Sequence, residues 1–148
     1  MKKNNVKVAL IGCGRISGHH SRSIIKLDGV DLVAVCDLEI EKAQAYSDEF
    51  GVKAYSDYHK MLQENPEIAV VSIATPSGMH FEHAMEIISD YEKHIIVEKP
   101  TVMKPSQVKK MYAKAAQLGL QVFAVFQNRY NKAVTRVLRG IEKNELGP

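Results

Sequence analysis

Short apolar segments alternate with longer amphipathic segments along most of the chain. The short segments are rich in valine, isoleucine and alanine, as is typical of strands buried on both faces of a parallel sheet. Strands are predicted at Val6–Ile11, Val30–Cys36, Lys53–Tyr55, 68–74, His94–Val97 and 121–125. Strands that alternate with helices at this spacing predict an α/β fold, a doubly wound parallel sheet with helices on both faces.

The amphipathic segments predict the helices, and turn-forming residues mark where these helices begin and end. Helices are predicted over residues 15–26, 40–50, 57–62, 80–91, 105–119 and 132–143. Ser56 is expected to cap the third helix, and Gly51 to follow the second helix in the left-handed conformation. Pro105 suits the first turn of the fifth helix.

A glycine-rich turn follows the first predicted strand, and a helix-forming segment begins at Arg15. Gly12 permits a tight turn, and Gly14 lets the backbone approach phosphate groups closely. Strand, glycine turn and helix in this order place backbone N–H groups against a pyrophosphate, which is the Rossmann arrangement for dinucleotides. Ser17 stands where the third glycine of the fingerprint is expected, and its small side chain still permits close packing. The alternative is a structural turn without a ligand.

Asp37 lies at the end of the second predicted strand, roughly 20 residues after the glycine turn, where dinucleotide-binding domains carry an acidic residue. A carboxylate there can bind both ribose hydroxyls of adenosine, and it repels a 2′-phosphate. The following Leu38 offers no cation for such a phosphate, so the sequence favours NAD over NADP. The alternative is that Asp37 only caps the next helix.

Thr75 and Pro76 follow the strand at 68–74, and His80 lies just inside the next helix. Because this is the carboxyl edge of a parallel sheet, it is where open α/β folds bind ligands. On spacing alone, His80 is equally well explained as an ordinary residue at a helix N-terminus.

Glu98, Lys99 and Pro100 come directly after the strand at His94–Val97. A lysine at this edge, close to a nicotinamide, can take or give a hydroxyl proton while hydride moves. Glu98 can hold the lysine or contact the nicotinamide ribose. Taken alone, the tripeptide is more simply explained as a surface Glu-Lys pair before a proline.

The composition excludes several other classes of function. The chain has 148 residues, 45% of them hydrophobic, and suits one ordinary globular domain. A net charge of +3 without a clustered basic surface argues against a nucleic-acid partner, and no apolar run approaches the length of about 20 residues that spans a membrane. Cys13 and Cys36 form no C-x-x-C pair, so reduced thiols and a cytoplasmic location are expected. The histidines show no convincing metal-ligand spacing, so no metal is expected.

These motifs together resemble the N-terminal domain of the Gfo/Idh/MocA oxidoreductases. The residues that carry the resemblance are Gly12, Gly14, Ser17, His20, Asp37, Thr75, Pro76, His80 and, most specifically, Glu98-Lys99-Pro100. The resemblance implies an NAD-dependent dehydrogenase of CH–OH groups. It also implies a second domain, absent from this chain, whose open antiparallel sheet binds the substrate and mediates homo-oligomerisation.

The resemblance also implies roles for single residues. Lys99 is the expected catalytic residue, assisting proton transfer while hydride moves. The residues expected to contact the cofactor are Gly12, Cys13, Gly14, Arg15, Ile16, Asp37, Thr75, Pro76, His80, Glu98, Lys99 and Gln127. His20 is expected to pack behind the glycine loop, and the remaining histidines are expected to be surface or packing residues.

Within the family, residues 126–131, with Leu138, Arg139 and Leu146-Gly147, look most like the sugar-nucleotide 3-dehydrogenases. Those enzymes oxidise C3 of a UDP-N-acetylhexosamine or its uronic acid for synthesis of lipopolysaccharide O-antigen. Lys132, however, stands where such sequences often have proline.

The resemblance predicts an NAD-binding Rossmann domain over residues 1–125, followed by a linker and helix over 126–148 that lead to the second domain. The chain alone is therefore expected to bind NAD(H) without turnover. An inositol or simple-sugar dehydrogenase of the same family is the first alternative. A non-catalytic NAD-binding sensor is the second, although the presence of Lys99 argues against it.

Overall fold

A parallel sheet with the strand order β3-β2-β1-β4-β5-β6 forms the centre of the computed structural model, which describes residues 5–145 and Gly147. The strands are β1 Val6–Ile11, β2 Val30–Cys36, β3 Lys53–Tyr55, β4 Val70–Ile73, β5 His94–Val97 and β6 Val122–Ala124. The helices are α1 Ser17–Ile24, α2 Ile40–Phe50, α3 Tyr58–Glu64, α4 His80–Asp90, α5 Pro105–Gln117 and α6 Lys132–Glu142. The predicted α/β fold is confirmed.

Helices cover both faces of the sheet, because successive strand residues point to opposite faces and are apolar on each. Ile11 belongs to a buried cluster with Met61 of α3 and Ile87 of α4. Leu10, its neighbour in β1, belongs to a second cluster with Ile24 of α1. Burying a side chain of this kind stabilises a fold by about 1.5–3 kcal/mol, so the two clusters hold the sheet between its helix layers.

The strand order reverses between β1 and β4, and this reversal positions the candidate site. From β1 the chain runs outward through β2 to β3, and it then returns to place β4 on the other side of β1. The connections diverge at this point and leave a crevice at the carboxyl ends of the two strands. Gly12 directly follows β1 and Ala74 directly follows β4, so the glycine turn forms one wall of the crevice.

Several boundaries differ from the sequence prediction. Asp57, rather than Ser56, caps α3, because its carboxylate accepts the N–H of His59 at 2.8 Å. The first helix begins at Ser17 instead of residue 15, because the residues before it form the turn that leads into the helix. Strand β4 spans four residues instead of 68–74, because only those four pair with both β1 and β5.

Gly51 occupies the position predicted for it, directly after α2, with a φ of 68°. The predicted apolar face of α5 is only partly covered: Met111 and Ala115 are buried, whereas Val108 and Tyr112 are exposed. Residues 1–4, Leu146 and Pro148 lie outside the described residues, so the predictions that fall on them are not compared with the structure.

Candidate active site

The turn after β1 is shaped by Gly12, whose φ of 90° lies in the left-handed region. A Cβ on this residue would lie 2.6 Å from the carbonyl oxygen of Ala74, closer than real Cβ atoms approach other atoms. Gly14 is different, because it is exposed and a Cβ there would meet no atom within 4 Å. The fold therefore requires the first glycine, whereas the second keeps the space in front of the turn open.

Asp37 ties the glycine turn to the end of β2. Its Oδ2 accepts the N–H of Cys13 at 2.8 Å, and its Oδ1 accepts the N–H of Glu39 at 3.0 Å. Each carboxylate oxygen can accept a second hydrogen bond, so both keep capacity for a ribose hydroxyl. Glu39, and not Asp37, is the N-cap residue of α2. The alternative in which Asp37 only caps that helix is therefore wrong.

Tyr46 of α2 holds the glycine turn from the other side. Its hydroxyl donates to the carbonyl oxygen of Gly14 at 2.7 Å, while its ring packs against Phe50 with the centroids 5.6 Å apart. A planar trans peptide directs its C=O and N–H groups in opposite directions. The contact therefore turns the N–H of Arg15 away from α2. No sequence motif singles out Tyr46, which lies 32 residues beyond Gly14.

Replacing Tyr46 with phenylalanine is expected to weaken NADH binding by about threefold to tenfold, because one hydrogen bond contributes about 0.5–1.5 kcal/mol net. The ring contact with Phe50 is kept, so only the hydrogen bond that orients the glycine turn is lost. Isothermal titration calorimetry with NADH measures the change, and Tyr112→Phe on α5 is the matched control. An unchanged affinity in Tyr46→Phe, or an equal loss in both variants, contradicts this role.

Two cavities meet at the carboxyl edge of the sheet. The lysine cavity has a volume of about 440 Å³, and the residues that line it are Arg15, Ile16, His19, Ala74, Thr75, Pro76, Ser77, His80, Glu98 and Lys99. The aspartate cavity has a volume of about 690 Å³, and its lining includes Gly12, Gly14, Asp37, Tyr58, Met79 and His83. Both cavities are also lined by Ala74, Thr75 and Pro76, so they are neighbouring parts of one groove. Each volume lies in the range of small-molecule sites, about 300–1,000 Å³.

Glu98 and Lys99 contribute to the lysine cavity in different ways. Glu98 is buried, and its Oε2 accepts the N–H of Lys99 at 3.0 Å. Lys99 is exposed at the rim, and the peptide bond between Lys99 and Pro100 is cis. Within residues 5–145, no carboxylate forms an ion pair with the Lys99 ammonium. The ammonium is therefore available to a ligand in the cavity.

His80 joins the loops that follow β4 and β5. Its side chain is 1% exposed, with Nδ1 2.8 Å from the carbonyl oxygen of Pro100 and Nε2 2.8 Å from that of Thr75. Both ring nitrogens thus face backbone carbonyls, and neither is directed at open space. His80 shapes the lysine cavity by fixing its two loops, and its predicted contact with the cofactor stays a prediction.

His83, one of the histidines expected to be a surface or packing residue, is buried and also lines the aspartate cavity. Its Nδ1 lies 3.0 Å from Oγ1 of Thr75, and its ring forms a T-shaped contact with the ring of Tyr58. Burial lowers the pKa of His83, which favours the neutral imidazole. With its proton on Nε2, that imidazole accepts the hydroxyl proton of Thr75. The spacing of three residues from His80 places both on one side of α4, and that spacing was the available sequence signal.

Two predicted cofactor residues lie apart from the cavities. Gln127 is exposed in a short 3₁₀ turn and lines a separate groove with Tyr112 and Phe126. Cys13 is buried beside Cys36, and burial followed by the charge of Asp37 raises the pKa of its thiol to about 12. Its N–H is already donated to Asp37. The cofactor contacts of Cys13 and Gln127 stay predictions.

Two general features of the described part of the chain bear on its chemistry. In residues 5–145 no three His, Cys, Asp or Glu side chains come together as metal ligands. None of the helices described there is long and apolar enough to cross a membrane.

The reversed strand order, the glycine turn and the carboxylate after β2 define a Rossmann-type dinucleotide-binding domain. The model of the Gfo/Idh/MocA oxidoreductase family, described as an NAD-binding Rossmann fold, matches residues 6–126. The chain belongs to this family, and its cofactor is NAD. The family and the cofactor predicted from the sequence are both confirmed.

Known proteins similar to this chain include a glucoside dehydrogenase, an inositol dehydrogenase and a dehydrogenase solved with a sugar nucleotide. D-glucoside 3-dehydrogenase of Escherichia coli strain K12 is 27% identical over 99% of the chain, and inositol 2-dehydrogenase of Salmonella typhimurium strain LT2 is 27% identical over 96%. The WlbA dehydrogenase of Bordetella pertussis, solved with NADH and UDP-GlcNAcA, is 32% identical over 97% of the chain, with a TM-score of 0.88. The chain spans only 42% to 43% of these proteins' own lengths.

Proposed function

We propose that this chain is the NAD(H)-binding part of a dehydrogenase that moves hydride between a hydroxyl-bearing sugar carbon and nicotinamide. The position of Lys99 carries this proposal, because its side chain lines the lysine cavity and pairs with no carboxylate among residues 5–145. NAD, when bound, supplies the ring carbon that accepts the hydride. Lys99, in its amine form, takes the proton of the reacting hydroxyl and becomes an ammonium, so that loss of proton and hydride from one CH–OH group leaves a carbonyl.

The residues of the groove fit the two halves of NAD. In the aspartate cavity, the Asp37 carboxylate accepts the adenosine ribose hydroxyls. The open space before Gly14 admits the pyrophosphate, which receives the N–H groups of Arg15 and Ile16 at the start of α1. In the lysine cavity, Thr75, Pro76, Glu98 and Lys99 surround the nicotinamide side.

A sugar nucleotide is the substrate that we favour. The similarity to WlbA, solved with UDP-GlcNAcA, supports a UDP-sugar. The resemblance of residues 126–131 to the sugar-nucleotide 3-dehydrogenases supports the same substrate, and with it a place in lipopolysaccharide sugar synthesis. The second candidate is an inositol or simple-sugar dehydrogenase, which the similarity to inositol 2-dehydrogenase of Salmonella supports.

A second domain that selects the substrate and supplies further catalytic groups, as the family resemblance implies, is part of the proposal. Apolar side chains on β6, directly after it and on α6 that are half exposed or more support it, since a covering element would bury them: Phe123, Phe126, Val137, Leu138 and Ile141. The greater length of the relatives supports it too. We assign the parent protein to the cytoplasm as a homo-oligomer, and the free thiols of Cys13 and Cys36 support a reducing compartment.

The proposed function is tested with the full-length natural protein, by following NADH formation from absorbance at 340 nm. UDP-N-acetylglucosaminuronic acid is expected to be oxidised at least about tenfold more efficiently with NAD than with NADP, because Asp37 repels the 2′-phosphate. Myo-inositol and glucose 6-phosphate are the matched alternative substrates. If only myo-inositol is turned over, the second candidate, an inositol or simple-sugar dehydrogenase, replaces the favoured one. If none of the three substrates yields NADH although the protein binds NADH, the result supports a non-catalytic NAD-binding sensor instead.

A further inference from the structure

Three hydrogen-bonded side chains form a chain beneath the lysine cavity, linking β4, α1 and the end of β5. Nδ1 of His20 lies 2.9 Å from Oγ of Ser72, and Nε2 of His20 lies 2.8 Å from Oε1 of Glu98. Ser72 is 0% exposed and Glu98 is 5% exposed. His20 therefore does more than pack behind the glycine loop, because it contacts the carboxylate that precedes Lys99.

One arrangement of protons satisfies every group in this chain. With the ring proton on Nε2, His20 donates to the Glu98 carboxylate, and its Nδ1 accepts the hydroxyl proton of Ser72. Glu98 then receives one hydrogen bond on each oxygen, from His20 and from the N–H of Lys99. A buried carboxylate that loses one of two such partners is left poorly compensated, which is costly in a protein interior.

The order Ser72–His20–Glu98 is also that of a hydrolytic triad, but its burial excludes that chemistry. Ser72 is a central residue of β4, paired in register with Leu10 and Ile96 on the neighbouring strands. Its hydroxyl is closed to any substrate, so it cannot act as a nucleophile. The same burial suits a group that fixes the imidazole ring.

We propose that His20, supported by Ser72, is a positioning residue that holds the Glu98 carboxylate against the lysine cavity and thereby orders the backbone of Lys99. The inference rests on the proposed function, because it places the nicotinamide side of NAD in that cavity. His20 lies in the first turn of α1, the helix that begins at the glycine turn. One helix thus contributes both to the phosphate-binding turn and to the position of the candidate catalytic segment.

The test compares two ligands on the full 148-residue chain: NADH, and ADP-ribose, which lacks the nicotinamide. His20→Leu is expected to weaken NADH binding about tenfold in calorimetric titrations, the effect of one unsatisfied buried group, and to leave ADP-ribose binding within about twofold. His20→Gln, whose amide can donate near the position of Nε2, is expected to restore most of the NADH affinity. Ser72→Ala, which keeps the imidazole, is expected to weaken NADH binding about threefold and to leave ADP-ribose binding unchanged.

The outcomes separate a failure of this inference from a failure of the proposed site. If the wild-type chain binds ADP-ribose as tightly as NADH, the nicotinamide does not contact the lysine cavity, and both proposals are overturned. If the wild-type chain prefers NADH but His20→Leu keeps that preference, only the positioning role is wrong. If His20→Leu weakens the binding of both ligands equally and His20→Gln does not restore it, His20 merely packs, which also overturns the inference.

Discussion

Replacing Gly12 with alanine is expected to lower the free energy of unfolding by about 2–6 kcal/mol, a large part of the total stability of a domain. Two costs add at this residue. A side chain at a φ of 90° is strained, and its Cβ would lie 2.6 Å from the backbone oxygen of Ala74. That oxygen belongs to the residue that directly follows β4, so it cannot yield as a flexible side chain would. Urea unfolding followed by circular dichroism measures the loss.

Gly14→Ala is the matched control, because it adds the same methyl group two residues later. A Cβ at Gly14 meets no atom within 4 Å, so the free energy of unfolding is expected to stay within about 0.5 kcal/mol of the wild type. NADH affinity is nevertheless expected to fall at least about tenfold, because the methyl group occupies the space through which the backbone approaches the pyrophosphate. A Gly12→Ala chain of wild-type stability would contradict the argument, as would undiminished NADH affinity in Gly14→Ala.

The sheet could be predicted from the sequence almost residue by residue, because its strands are short and apolar on both faces. Val6–Ile11, Val30–Cys36 and His94–Val97 begin and end where predicted. The helix ends were less predictable. Ser56 and Asp57 are adjacent and both are good cap residues, and the choice depends on which one reaches the N–H of His59.

The contacts that complete the candidate site were not predictable from the sequence. His20 and Glu98 are 78 residues apart, and only the position of α1 beside the end of β5 brings them together. The hydrogen bond from Tyr46 to Gly14 likewise depends on how α2 is rotated about its axis. Motifs identify residues that are fixed by the local backbone, such as Gly12, whereas supporting side chains are set by packing between distant elements.

This division also explains why the resemblance to a family was more informative than periodicity alone. The spacing of Glu98 and Lys99 after β5 is equally compatible with an exposed ion pair, and sequence reasoning from the residues favoured that simpler interpretation. The structure buries Glu98, gives it His20 as a partner and leaves Lys99 at the rim of a cavity. A surface pair would show neither the buried carboxylate nor the lysine at a cavity rim.

Replacing Lys99 with methionine in the full-length protein is expected to lower kcat about 10²–10⁴-fold, the usual contribution of one acid–base group. Methionine keeps much of the unbranched stem and removes the ammonium. Affinity for NADH is expected to stay within about threefold, because the adenosine and pyrophosphate contacts lie elsewhere in the groove. Steady-state kinetics give kcat, and calorimetry gives the affinity for NADH.

Two further variants show whether proton transfer, rather than charge, is what Lys99 contributes. Lys99→Arg keeps the positive charge, but a guanidinium does not release its proton in proteins, so it is expected to be nearly as inactive as Lys99→Met. Lys110→Met removes an exposed ammonium from α5, away from both cavities, and is expected to keep full activity. Wild-type kcat in Lys99→Arg would assign Lys99 an electrostatic role, and wild-type kcat in Lys99→Met would remove it from the reaction altogether.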